Sequence, residues 1–259
     1  MSSQFTYSLL PHQDTGVPSK VMKDLLAGGT FLESIAKVPY EWKSFTTQAT
    51  AQSDYSSKTR EIVADVFARQ NANLSASEED SLRAFRNGAL TITTGHQLMI
   101  CGGTVFFEAK VLGAVALAKA ASAALGIKVV PIFWMATEEH DFEEISSFHI
   151  GEHRFTWRLP DAKGPVGRLP TDSLAEQLES WLESVPLNAA QKELLQPRLQ
   201  AYKECENLSE ATRQWVRQWS EGLGLLVLDG QDVSLKAAAE PLWRAEMKSV
   251  YSKPRQKQT

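Results

Sequence analysis

Ile127 to Trp134 is a near-continuous apolar run, and no other stretch constrains the fold of this chain as tightly. A strand without polar alternation is buried on both faces, as happens when helices cover both sides of a parallel sheet. The residues before it supply what such a sheet needs. Ala89 to Thr93 reads as a short strand. Val105 to Leu125 reads as a long, alanine-rich helix that Gly126 stops. Strand, helix and strand make a βαβ unit, expected to be right-handed. The fold class that follows is α/β with a parallel sheet.

The flanking regions read differently. Residues 1–88 are helical: Ser19 to Leu26 and Thr30 to Lys37 are short amphipathic pieces, and Thr59 to Gln70 places Ile62, Val63, Val66 and Phe67 at helical spacing. Ser75 and Glu78 have the spacing of a capping box for a helix through Arg86, which Asn87-Gly88 ends. Past the sheet, Ser146 to Ile150 and Arg154 to Leu159 flank Gly151-Glu152-His153 like a β-hairpin. Asp161 to Pro170 is a loop. Helices are expected from Leu174 to Val185 and from Asn188 to Trp219, with Pro197 bending or starting a piece of the latter. Leu225 to Leu228 is a third strand ending in Asp229-Gly230, and Ser234 to Val250 is an amphipathic helix. The organisation expected is a helical segment (1–88) packing on the core, a first half of the core (89–145), an inserted hairpin-plus-helices region (146–220), a return to the core (221–250) and a tail (251–259).

Composition narrows the function. With 259 residues, 43% hydrophobic, the chain can bury a real core. A net charge of -4 argues against nucleic-acid and membrane-surface binding, which call for a basic face. The basic run Lys253-Pro254-Arg255-Gln256-Lys257 reads as a solvated end. The two cysteines make no CxxC and no disulfide framework. Cys101, beside Met99, Ile100 and Gly102, reads as a small buried hydrophobe. The seven tryptophans fall mostly at core spacing. No basic-then-apolar leader is read at the N-terminus. Val111 to Ile127 carries Lys119 and many alanines, too polar for a membrane span. A soluble cytoplasmic protein is expected.

Two polar clusters follow the first two strands. Thr93-Thr94-Gly95-His96-Gln97 is one; Thr137-Glu138-Glu139-His140-Asp141 is the other. Ligands of open α/β sheets bind outside the carboxyl ends of the strands, so the two clusters suggest one shared site. His96, in a strand-to-helix turn after Gly95, could donate to a phosphate or carboxylate, or could simply hydrogen-bond locally. Glu138, Glu139, Asp141, Glu143 and Glu144 surround His140. Crowded carboxylates can hold a proton for acid–base work. They can also be an acidic helix start, which fits Glu143 and Glu144 well and His140-Asp141 less well.

Four of the five histidines (His96, His140, His149, His153) share this segment, yet no HExxH or zinc spacing occurs, and no structural or catalytic metal site is expected from these residues. Neither GxGxxG nor GxxxxGK[ST] is present.

These residues also carry a resemblance. Thr94-Gly95-His96-Gln97, then Gly103, Phe106 and Lys110, then Val130 through Glu144 resemble the bacillithiol-biosynthesis cysteine-adding enzyme family. Leu225 to Gly230 is similar to that family's strand ending in aspartate and a small residue. The chain departs from it at Gly103-Thr104-Val105-Phe106, where the family has Gly-Pro-Leu-Tyr and so a tyrosine hydroxyl.

The resemblance covers only the family's front part. Its members continue into a coiled coil that mediates dimerisation and then return to the core, so a truncated or split product is expected. The resemblance implies a Rossmann-like fold of the nucleotidyltransferase and class I synthetase type. It implies a ligase that adds cysteine to glucosaminyl-malate by amide formation, with ATP activating the carboxylate. It implies His96, His140 and Asp141 as catalytic, with Thr94, Gly95, Gln97, Gly103, Lys110, Glu138 and Asp229 binding substrate or nucleotide. The alternatives are a nucleotidyltransferase-like enzyme on another small amine, or a catalytically inert module.

Overall fold

The computed structural model of the protein describes residues 11, 14–16, 19–26, 57–103 and 105–248. The chain divides into two units, Met1–Asp54 and Tyr55–Thr259. In the first, helix α1 (Lys20–Leu26) starts at Ser19, whose hydroxyl accepts the Met22 N–H at 3.2 Å. The expected helix Thr30 to Lys37 and the tail lie outside the described residues.

The second unit opens with α2 (Ser57–Gln70) and α3 (Ala76–Arg86). The capping box forms as the spacing predicts, with Ser75 and Glu78 satisfying each other's backbone N–H groups. Then come β1 (Leu90–His96), a 3₁₀ turn (Ile100–Gly102), α4 (Val105–Leu125) and β2 (Val129–Met135). A short α5 (Phe142–Ile145) leads into the hairpin β3 (Ser147–Ile150) and β4 (His153–Thr156). Helices α6 (Asp172–Ser184), α7 (Ala189–Glu204) and α8 (Leu208–Trp219) follow, then β5 (Leu226–Asp229) and α9 (Val233–Met247).

The main sheet has the order β1-β2-β5 and is parallel throughout. Its register aligns His96 with Met135 and Met135 with Asp229, so three strand ends form one row. Both faces are covered, as the apolar run requires. Phe133, Met135 and Val227 point into a core shared with Phe107 and Val111 of α4 and Trp215 and Val216 of α8. Val130, Ile132, Leu226 and Leu228 point the other way, onto Phe67 of α2 and Leu82 and Phe85 of α3. Helix α4 buries Phe107, Val111, Ala114, Ala118 and Ala121, a single stripe whose alanines let the helix lie close to the sheet.

Three expectations change. The first strand runs on through His96, because backbone pairing with β2 continues to Met135. His96 is therefore the last residue of a strand and not part of a loop. The long helix from Asn188 is two helices, and the break falls at Cys205–Asn207 instead of Pro197. Asn207 caps α8 by accepting the Glu210 N–H at 3.0 Å, which makes a new helix start cheaper than continuing the old one. Helix α9 buries none of its residues, and Leu242, Trp243 and Met247 are exposed; Trp243 thus departs from the core role expected of the tryptophans.

The two edges of the sheet differ. The outer side of β5 is closed by side-chain amides. Asn71 donates to the Val227 carbonyl at 3.0 Å, and Gln70 accepts from the Asp229 N–H at 2.8 Å and donates to its carbonyl at 3.1 Å. The outer side of β1 pairs with no strand among the described residues, and Thr91, Thr93 and Gly95 are exposed.

Candidate functional site

The row of strand ends carries two hydrogen-bonded clusters. The first surrounds His96 at the end of β1. Its ring lies edge-on to Phe106 and Phe107, with centroids 5.9 and 5.3 Å away. Its Nδ1 is 3.1 Å from the Gln97 carbonyl oxygen. A carbonyl accepts only, so the bond assigns the proton of the neutral ring to Nδ1 and leaves Nε2 as a bare acceptor. Burial pulls the histidine below its ordinary pKa, with the Lys110 charge acting the same way; the Gln97 carbonyl and Glu144 oppose them. The neutral form is thus favoured, and donation to an anion, the role expected of His96, needs a prior protonation.

Lys110 reaches back along the first turns of α4. Its Nζ donates to the Gly95 carbonyl at 2.5 Å and lies 5.6 Å from the centre of the Phe106 ring. Gln97 donates to Glu144 at 2.6 Å, joining the end of β1 to α5. Glu144 therefore enters the site, although of the two roles the sequence offers it, a proton-holding carboxylate or an acidic helix start, the helix start fits it well. Gly103 has a local reason to be glycine. Its φ is +61°, and a Cβ there would sit 2.8 Å from the Met99 Cβ.

The second cluster centres on Asp229. Its carboxylate accepts hydrogen bonds from the Thr137 and Ser209 hydroxyls and from the Gln231 N–H at 2.8 Å. It ties the ends of β2 and β5 to the start of α8. Gly230 lies beneath the Trp134 ring, where a Cβ would collide with the indole. Gly167 is pressed on Thr137 in the same way, since a Cβ there would sit 2.7 Å from the Thr137 Cβ, and its N–H donates to the Thr137 carbonyl at 3.1 Å.

The other candidates are placed as follows. Thr94 is half-buried inside β1, opposite Phe133. Glu138, His140 and Asp141 occupy an exposed turn between β2 and α5. Asp141 Oδ1 accepts the Glu144 N–H at 3.1 Å and so caps α5. The helix-start role judged a poor fit for His140-Asp141 belongs to Asp141 after all, because α5 begins at the next residue. Among the described residues no hydrogen bond or ring contact joins His140 or Asp141 to His96. Among them, too, no three His, Cys, Asp or Glu side chains gather as metal ligands.

Behind His96 the support is aromatic. Phe107 packs on Phe133 and Trp215, and the buried Arg198 lies 4.8 Å from the Trp215 ring while pairing with Glu108 at 2.8 Å. Cys101 is buried, its thiol pushed up to about 12 by burial, so it is a packing residue and not a nucleophile near neutral pH.

A family model described as "Bacillithiol biosynthesis BshC, N-terminal Rossmann-like domain" matches residues 6–259. The chain belongs to the BshC family. A relative from Flavobacterium johnsoniae, named "Putative cysteine ligase BshC", is 30% identical over 249 residues, which are 94% of this chain and 47% of the relative. Relatives of the same name from Flavobacterium psychrophilum and Cytophaga hutchinsonii are 29% and 30% identical, covering 92% and 90% of this chain and 46% and 43% of their own. The chain spans about half the length of the curated relatives it matches.

The family gives the Rossmann-like architecture, and the strand order shows which part of it is present. The order β1-β2-β5 winds in one direction only. A doubly wound sheet reverses direction beside its first strand, and its ligand crevice lies at that reversal. Among the described residues β1 is an edge strand, and His96, Lys110 and the Gln97–Glu144 pair stand at its carboxyl end. No helix among the described residues is long and apolar enough to cross a membrane.

Proposed function

We propose that this chain carries the reacting face of a ligase that adds cysteine to glucosaminyl-malate through an amide bond, the last step of bacillithiol synthesis. The observation that supports this best is His96, held through Nδ1 by the Gln97 carbonyl with no hydrogen bond to Nε2 among the described residues and with burial favouring its neutral form, beside Lys110 at the end of β1 in a chain of the BshC family. When bound, ATP supplies the leaving group that activates the cysteine carboxylate. Lys110 keeps two N–H groups after bonding Gly95, which fits one anionic group of that nucleotide. In this reading a magnesium ion arriving with the nucleotide balances the remaining charge.

The chain's own part is positioning and proton transfer. Attack on an acyl carbon needs an amine lone pair, so the amine must shed a proton. His96 Nε2 is the acceptor, a base suited to neutral pH. Thr94, Gly95, Gln97 and Gly103 line its strand and the loop after it. Glu138, His140 and Asp141 would meet the amine from the solvent side, where Asp141 Oδ2 is left over from the cap. Asp229 would act through the groups that it already organises.

The test is mass spectrometry of the protein incubated with cysteine, glucosaminyl-malate and ATP. The condensed product is expected, and His96→Ala should slow its formation about a hundredfold or more. Product formed at the same rate by His96→Ala removes the assignment. The absence of product from the unaltered protein favours a second reading, a module that folds and binds without turnover. The outer edge of β1, which pairs with no strand among the described residues, is what favours that reading.

A further inference from the structure

A cavity of about 540 Å³ opens between α8 and the turn that joins α2 to α3. That volume suits a small metabolite. Gln70 lines it and also bonds the Asp229 backbone, whereas His96 and Lys110 take no part in its wall.

The charges on its wall are of two kinds. Arg217 uses four of its five N–H groups: it bonds Glu78 twice, at 2.7 and 3.1 Å, and donates to the Ala72 and Asn73 carbonyls. Arg213 and Glu210, one turn apart on α8, are not so engaged. Among the described residues Arg213 makes no hydrogen bond or ion pair, and no hydrogen bond reaches the Glu210 carboxylate. Both are half-buried. Burial pulls the Arg213 guanidinium down from its usual range, and the Asp229 and Glu210 charges oppose that pull.

A half-buried guanidinium with five unused donors is costly in a protein's own fold and inviting to a carboxylate. A simple anion would gain Arg213 but face Glu210, and a simple cation would meet the reverse. A ligand with both charges satisfies both. We propose that this cavity binds a small zwitterion, a metabolite with a carboxylate for Arg213 and a primary ammonium for Glu210. A free amino acid and an acid-bearing amino sugar share that chemistry. The proposal stands on the unpaired charges and does not rest on the ligase reading.

Titration calorimetry of the 259-residue protein tests it, with L-cysteine under reductant, L-serine, glucosaminyl-malate, succinate and ethylamine as probes. At least one zwitterion should bind, with succinate and ethylamine about tenfold weaker or worse. Arg213→Gln and Glu210→Gln should each weaken the zwitterion about tenfold while thermal unfolding shifts by no more than about 2 °C. Which zwitterion binds identifies the source. No heat from any zwitterion overturns the proposal. So does equal affinity in Arg213→Gln, or binding lost in His96→Ala but kept in Arg213→Gln, which would place the ligand at the end of β1.

Discussion

His96 shows how little a residue's type says without its partners. Its chemistry is set by the Gln97 carbonyl, by two phenylalanine rings and by Lys110. Because burial depresses its folded-state pKa below 6.5, the unfolded chain binds the proton more readily. Its stabilising contribution is full above pH 6.5 and is lost as pH falls from there toward the folded value. An NMR titration should therefore place the His96 midpoint below 6.5, and unfolding between about pH 7 and 6 should depend less on pH in His96→Gln. Gly230 makes a second prediction at this scale. A methyl group there meets a stiff indole, so Gly230→Ala should cost about 1–3 kcal/mol in urea unfolding.

Among the elements, α2 has two tasks. Its apolar side covers one face of the sheet, and its last turn closes the edge of β5 through Gln70 and Asn71. Asn71→Ala leaves a buried carbonyl without a partner, and a loss of about 1–3 kcal/mol is expected. Ser75→Ala, which removes only a helix cap, should cost about 1 kcal/mol. Denaturation of the two variants side by side checks the order. Helix punctuation was readable where side chains act locally: the Ser75–Glu78 box and the Gly126 stop fall where the sequence puts them. The split between α7 and α8 was missed because a proline is a conspicuous signal and Asn207 is not. The Asn207 cap is reinforced from a distance, by a Leu208 N–H that donates to the Leu169 carbonyl.

At the scale of the whole molecule, the two edges of the main sheet differ. One edge of the sheet is sealed by amides, and the other pairs with no strand among the described residues, beside the candidate site. Unpaired edges exchange and associate readily. Hydrogen exchange should therefore be faster in Leu90–His96 than in Val129–Met135; equal protection would mean that β1 is covered.

By itself the sequence determined the α/β class, the parallel βαβ unit, the family and the polar residues at the strand ends, because periodicity, caps and motifs act between near neighbours. Only the tertiary structure decided which of those residues meet. Register placed His96, Met135 and Asp229 in one row; helix and loop packing drew Glu144 to Gln97, engaged Asp229 with Thr137 and Ser209, and left Arg213 without a hydrogen bond or ion pair among the described residues on a cavity wall. Those pairings join residues tens of positions apart, and local spacing carries no information about them.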